Sequence, residues 1–171
     1  MTDDQRFFGK YRAMVVNNID PMQQGRIQVL VPDVSGIALS SWAMPCAPVA
    51  GMQMGFFALP AIGAGVWVEF EQGDPDYPIW VGGFWGSPAE VPSTALIVPP
   101  AVPGITMQTT GQNSIQISDV PGPTGGIMIK TTTGAMISVS EVGITITNGK
   151  GATITLMGPT VDINAGALTV V

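Results

Sequence analysis

The first part of the chain alternates short apolar runs with turns. Residues 26–31 (RIQVLV) and 65–71 (GVWVEFE) place apolar side chains at every second position, which is typical of a strand with one face in water. A turn at 73–78 (GDPDYP) leads into 79–84 (IWVGGF), and we expect this last run to pair back on 65–71 as a hairpin.

Further short extended segments fit the same pattern. Residues 9–17 (GKYRAMVVN) read as a strand, and the next turn carries Asp20 directly before Pro21, a residue suited to the first central position of a turn. Residues 41–48 (SWAMPCAP) form an extended segment that prolines interrupt. About five short strands with an aromatic core predict a small closed barrel of the OB type.

The second part repeats a simple unit of strand and turn. From residue 113 onward, two apolar residues separated by one position recur between Gly, Asn, Asp and Thr, and from Ala135 onward successive pairs start 7, 10, 7 and 7 residues apart. Such a short period is the signature of a solenoid. The pairs are Ile115/Ile117, Ile127/Ile129, Ile137/Val139, Ile144/Ile146, Ile154/Leu156, Val161/Ile163 and Leu168/Val170.

These pairs are too few for a solenoid built from one chain. Its core would be thin, and both of its ends would be open strand edges. Three chains around one axis remove both problems, so we expect an intertwined triple-stranded β-helix that folds only as a homotrimer. The expected trimer core consists of Ile137, Val139, Ile144, Ile146, Ile154, Leu156, Val161, Ile163, Leu168 and Val170.

Composition separates the two parts. Residues 1–90 hold every aromatic residue and 13 of the 18 charged residues, and the join at 91–104 contains four prolines, which favour a stiff, extended connector. The predicted organisation is all-β: an OB-type barrel over residues 1–90, a proline-rich linker over 91–105 and a β-helical needle over 106–171.

Charge and side-chain chemistry exclude several classes of function. The net charge is −6, and six scattered basic residues form no stripe that would bind a nucleic acid. The chain has no histidine, so a Ser-His-Asp or Cys-His arrangement is impossible. We expect no catalytic residue, cofactor or metal cluster, and we interpret the single Cys46 as a small buried residue.

Two clusters allow a binding interpretation beside a structural one. Glu69, Glu71, Asp74 and Asp76 offer oxygen ligands of the kind that Ca²⁺ takes, but turn chemistry and a solvated strand face explain the same pattern. Trp42, Trp67, Trp80 and Trp85 are able to stack on bases or sugars. Without a basic surface, packing in a core or an interface explains them better.

The residues 60–86, PAIGAGVWVEFEQGDPDYPIWVGGFWG, resemble the OB domain of phage baseplate spike proteins, VgrG-type spikes of type VI secretion and the spikes of extracellular contractile injection systems. The upstream QGRIQVLVPDV (24–34) and SSWAMPCAPVAG (40–51) are similar to earlier strands of that domain, and the tail is similar to the β-helix that follows it. The resemblance implies a non-enzymatic, membrane-puncturing central spike. An OB module that binds an oligonucleotide or a glycan is the alternative.

The resemblance also implies partners and a location. Many VgrG-type proteins begin with a large hub domain that this sequence lacks, so a separate baseplate hub protein is expected. The terminal Val170 and Val171 would form an apolar end, which we expect a PAAR-like tip protein to cover. The N-terminus does not have the pattern of a secretory signal. We therefore expect synthesis in the cytoplasm, assembly into the baseplate of a phage virion or phage-tail-like particle, and transient contact with a target membrane.

Overall fold

A computed structural model describes residues 5–170, and the chain divides after Pro88 into two compact units. Nearly all regular structure in both units is β-strand, which confirms the all-β prediction. The one α-helix in the described residues is the single turn Pro32–Ser35. No helix within residues 5–170 has the length and apolar content needed to cross a bilayer.

The first unit is a curled sheet with a small added hairpin. Its strands are β1 (Tyr11–Asn17), β2 (Gln28–Leu30), β3 (Met44–Pro45), β4 (Ala50–Gly51), β5 (Met54–Gly55), β6 (Gly65–Phe70) and β7 (Pro78–Phe84). Five of them form one sheet in the order β2-β1-β6-β7-β3, and β4 pairs with β5 separately. The bridges Ile27–Ala43 and Leu30–Leu39 bring the segment before β3 against β2, so the sheet curls back on itself.

The alternation of buried and exposed side chains along the strands forms the core of this unit. Every second residue of β1 and β6 points inward, and the buried side chains are mainly small or branched aliphatic ones. Removing such a side chain from water contributes about 1.5–3 kcal/mol. The buried residues are Ala13, Val15, Ile27, Val29, Val31, Ala43, Val66, Val68 and Phe70.

The strand limits differ from the predicted ones where the backbone cannot continue a ladder. The predicted strand 9–17 begins only at Tyr11, because Gly9 has a φ of +99°. Within the extended segment 41–48 only Met44–Pro45 forms a strand, since proline has no N–H to donate, and Ala43 makes a single bridge to Ile27. Cys46, which we expected to be buried, is exposed just beyond this short strand. The predicted hairpin is present as the antiparallel pair β6–β7.

The buried carboxylate of Asp20 organises the turn after β1. The turn closes through Gln23 N–H, which donates to the Asp20 carbonyl at 3.0 Å. The carboxylate accepts hydrogen bonds from Arg26 Nη2 at 2.6 Å and from the backbone N–H of Gln24 at 2.8 Å. The Arg26 guanidinium and these N–H groups hold the pKa of Asp20 well below its usual range. Arg26 also lies over the ring of Trp42.

The second unit is an antiparallel meander of eight strands. The strands are β8 (Gly104–Gln108), β9 (Ser114–Ser118), β10 (Gly126–Lys130), β11 (Met136–Ser140), β12 (Gly143–Thr147), β13 (Thr153–Met157), β14 (Thr160–Ile163) and β15 (Leu168–Val170). They are hydrogen-bonded neighbours in sequence order within one chain. The connections of two to seven residues enforce this order, so no second chain is needed to pair the inner strands. The turn glycine Gly126 has a φ of +82°, and a Cβ there would meet the Val139 carbonyl oxygen at 2.1 Å.

The segment before β8 is folded against the sheet, whereas the sequence predicted an extended connector. Thr94 is buried: its hydroxyl donates to Gln108 Oε1 at 2.7 Å, and its carbonyl accepts from Gln116 Nε2 at 2.7 Å. We call this contact the Thr94 clamp. The sheet also begins at Gly104, two residues before the predicted start of the needle at 106. Pro103, directly before the strand, made this boundary hard to place.

Replacing Asp20 by Asn is expected to destabilise the first unit. The amide keeps the shape of the side chain but loses the charge that accepts from Arg26 and the turn amides, so the midpoint of thermal unfolding should fall by several degrees. Because the pKa of Asp20 is lowered in the folded state, its contribution is present above the usual carboxyl pKa of about 4 and is lost as the pH falls below it. Calorimetry at neutral and acidic pH measures both effects.

Asp33→Asn is the matched control, because Asp33 is exposed on the surface of the same unit. It should leave the midpoint unchanged at neutral pH. Equal effects of the two substitutions at neutral pH would show that Asp20 does not organise the turn.

Candidate subunit interface

The pairing register of the second unit gathers its apolar residues on one face of the sheet. The strands pair without a shift in register, so the alternating apolar positions line up from strand to strand as two ladders. One ladder is Ile105, Ile117, Ile127, Val139, Ile144, Leu156, Val161 and Val170, and the other is Met107, Ile115, Ile129, Ile137, Ile146, Ile154, Ile163 and Leu168. We call these residues the apolar ladder face.

No second layer covers the apolar ladder face within the described part of the second unit. Ile117 is 44% exposed, Ile129 is 45% exposed and Ile105 is 62% exposed, although each lies inside a regular strand. Apolar positions of a sheet are normally buried against a second layer. A contiguous apolar surface of this kind marks an interface with another molecule.

The opposite face of the sheet is mainly polar. The central residues of the strands there include Gln116, Ser138, Thr145 and Thr155, with Asp162 near the far edge and Met128 of β10 as an apolar exception. The Thr94 clamp covers the polar face over β8 and β9, where Ser114, Gln116 and Ser118 are buried. The sheet therefore has a polar face and an apolar face, and the apolar face requires another molecule to cover it.

All ten residues predicted for the trimer core are placed on the apolar ladder face by their register. Their meeting at a three-fold axis stays a prediction. For Val170 the structure describes the backbone pairing with Val161 only. The side chain of Val170 and the whole of Val171, both expected to contact a tip protein, lie outside what the structure describes.

The prediction missed the first rung of the ladders, Ile105 and Met107 on β8. The sequence did contain the signal, because Ile105 and Met107 are separated by one position like the later apolar pairs. The pair was missed because methionine is unbranched and because Pro103 lies close before it. Ile115, Ile117, Ile127 and Ile129 were identified as pairs but not as core residues, and they belong to the same ladders.

The apolar ladder face offers no chemistry beyond association. It carries no charged side chain among its described members, so covering it would bury no ion. Within residues 5–170 there is also no group of three metal-ligating side chains.

Two of the four acidic residues of this cluster in the first unit are paired with other groups. Glu69 forms an ion pair with Lys10, and Asp74 lies 3.4 Å from Arg6 while also accepting from the N–H of Asp76 at 3.0 Å. These contacts agree with a turn and a solvated strand face.

Two of the four tryptophans are engaged in packing rather than presented as a platform. Trp80 donates its indole N–H to the Gly25 carbonyl at 3.1 Å. Trp67 packs beside Phe84, and the Arg12 guanidinium lies 4.9 Å from its ring centre.

Comparisons with known families divide the chain at the same place as its structure. Residues 11–85 match the model of the type VI secretion system/phage-baseplate injector OB domain. Residues 104–169 match the model of the phage baseplate V C-terminal trimerisation domain. The first match spans β1 to β7 and the second begins with β8. A search of the curated proteins found no match.

Replacing Ile154 by Asp should abolish association through the apolar ladder face. In a trimer, three carboxylates would enter one apolar layer, where they cannot all remain charged. We expect loss of the trimer and of any resistance to SDS, measured by light scattering and by electrophoresis without boiling.

Thr145→Asp is the matched control, since Thr145 lies on the polar face of the neighbouring strand and pairs with the uncharged Ser138 and Thr155. It adds the same charge and should leave the trimer intact. A stable trimer of the Ile154→Asp variant would contradict the inward orientation of the apolar ladder face.

Proposed function

The chain belongs to the phage baseplate V family, and on that basis we propose that three copies form the central, membrane-puncturing spike of a contractile, phage-tail-like injection machine. The observation that carries this proposal is the uncovered apolar ladder face within the segment that matches a trimerisation domain. The sheath would drive the spike forward, so its task is mechanical.

Three sheets arranged around one axis would bury all three apolar ladder faces together. The polar faces would then form the outside of the needle. Successive strands of a sheet lie about 4.8 Å apart, so eight of them give a needle segment roughly 34 Å long. The buried surface should reach the size of an obligate interface, on the order of 2,000 Å² or more.

Rigidity in this arrangement would come from two sources. Within each chain, backbone hydrogen bonds link every strand of the meander to the next. Between chains, branched aliphatic side chains pack into a dry core of crystal-like density. In the intertwined β-helix expected from the sequence, hydrogen bonds between chains would supply part of the rigidity, whereas here the inner strands pair within the chain.

The polar outer face suits passage through an envelope. It is dominated by short Thr and Ser side chains, and the segment 91–171 carries only five charged residues. Such a surface offers few groups that would bind lipid headgroups or surface polymers strongly. We infer that membrane contact is transient and that the spike works without catalysis.

The competing function is an OB module that binds an oligonucleotide or a glycan. That function requires a basic groove or an aromatic platform. The packing of Trp67 and Trp80 and the net charge of −6 favour the spike instead.

The proposal places the chain between two partners. A separate hub protein would hold the OB units in the baseplate, which the family resemblance supports. A small PAAR-like protein would cover the far end of the needle. The edge of β15 has no neighbouring strand in the described part of the chain, and an open strand edge of this kind invites pairing.

Assembled particles test the spike proposal directly. We expect three copies of the chain per particle, on the axis at the centre of the baseplate, as measured by quantitative mass spectrometry and cryo-electron microscopy. The sheath protein of the same particles serves as the internal standard for copy number. A particle that contains the chain off the axis, or in six or more copies, would contradict the assignment.

The tip protein has a test of its own in the same particles. Density or peptides from a second protein should be found beyond β15, in contact with the end of the needle. A tip strand pairing with β15 would also protect the amides of Leu168–Val170 from hydrogen exchange in the particle but not in the purified spike. A bare end in intact, functional particles would refute this part of the proposal.

A further inference from the structure

The first unit carries a second apolar surface that the needle does not explain. Between β3 and β6 the chain forms the β4–β5 hairpin and its flanks, residues 46–62, which we call the apolar hairpin. Met52 at its tip is 96% exposed. The other exposed large apolar residues of this segment are Val49, Met54, Phe56, Phe57, Leu59 and Ile62.

A concave site lies beside the apolar hairpin. It is a groove of about 660 Å³ between the hairpin and the end of the barrel sheet, and it is lined mostly by carbon atoms. Its lining includes Pro45, Cys46, Pro48, Phe56, Phe57 and Trp80. The hairpin itself forms one wall of the groove through Val49, Gln53 and Met54, whereas Met52 at its tip is not among the lining residues. The unit thus presents a projecting apolar side chain and, beside it, an apolar groove.

Three-fold symmetry requires this kind of pairing. A contact between subunits related by a three-fold axis joins two different patches, and the ring closes when each subunit offers both of them. A projecting side chain and a groove on the same unit fulfil that requirement. A contact of a patch with itself would instead give a two-fold dimer.

The chain itself supplies the partner at high local concentration. The Thr94 clamp ties residue 94 to the sheet of the second unit, and only nine residues lie between the end of β7 at Phe84 and Thr94. In a trimer, the three first units are therefore held on short tethers. Such tethers give effective concentrations in the millimolar range, which make even a weak contact form.

A small molecule is a poorer occupant of the groove. Ligand sites fix their ligands with several convergent polar groups, and the lining of this groove has few polar side chains, among them Gln24 and Gln53. The exposed apolar surface also continues outside the groove onto Met52, where a small ligand would not cover it.

We propose that the tip of the apolar hairpin, at Met52, packs into the groove at Cys46 and Trp80 of the next copy, so that the three OB units close a ring. This inference rests on the proposed trimer. It adds an interface in the first unit that is separate from the apolar ladder face.

The single Cys46 allows a direct test in the full-length chain, because it is exposed and lines the groove. One chain is wild type, and the other carries both Met52→Cys and Cys46→Ser, so each chain has one thiol. Co-expressed chains form mixed trimers. Mild oxidation should convert most of the mixed trimers to a covalent dimer on a non-reducing gel, and neither chain alone should give this band.

Ile37→Cys with Cys46→Ser is the matched control, since Ile37 is 97% exposed on the same unit but outside the groove and the hairpin. It should give less than one tenth of the dimer band. Equal bands from the two thiol positions, or no band from position 52 while light scattering still shows a trimer, would overturn the ring and leave the spike proposal standing. A monomer in light scattering would defeat the spike proposal itself.

A second measurement needs no new thiol. Maleimide should label Cys46 at least tenfold more slowly in the wild-type trimer than in the dissociated Ile154→Asp variant, because the neighbouring hairpin covers the groove. Equal labelling rates would contradict the proposal even if the cross-linking variant failed to fold.

Discussion

The need to cover the apolar ladder face governs the second unit. A single-layer sheet with aliphatic side chains on one side has no stable existence in water, because its apolar positions are removed from water only by another layer. The strand register and the placement of charged residues in this unit both favour association through the apolar ladder face. The strands β8 to β13 each have five residues, and all eight strands pair without a shift in register, so the ladders remain straight. Charged residues are confined to the polar face and the turns. A charge on the ladders would oppose burial at every copy of the chain.

The two units solve the problem of burial in different ways. The first unit closes on itself around Val15, Ile27, Val66 and their neighbours, and it uses an ion pair and aromatic contacts to hold its loops. It retains a core of its own. The second unit replaces an internal core with a shared one, which explains why its residues can be so uniform. We infer that the apolar hairpin gives the first unit an association surface as well, so that both units contribute to one symmetric assembly.

Sequence alone predicted the elements whose signal is local. The pairs from Ile115 to Val170 alternate strictly, and alternation determines which face a strand residue occupies. The hairpin of β6 and β7 followed from the turn residues at 73–78. Features that depend on contacts far apart in sequence were not predictable. The Thr94 clamp joins residue 94 to Gln116, and the groove forms between Cys46 and Trp80. Neither contact leaves a periodic pattern. Cys46 was expected to be buried because of its residue type, whereas two nearby prolines end the strand and leave it exposed.

The native mass of the purified full-length chain over a dilution series, measured together with its β-type circular dichroism, shows whether the second unit folds only as a trimer. We predict a mass three times the 17.8 kDa of the chain. We also predict that the dichroism of the second unit disappears together with the trimer when dilution or denaturant separates the subunits. A monodisperse monomer that retains the full strand signal would contradict both predictions, because the sheet would then be stable with its apolar ladder face in water.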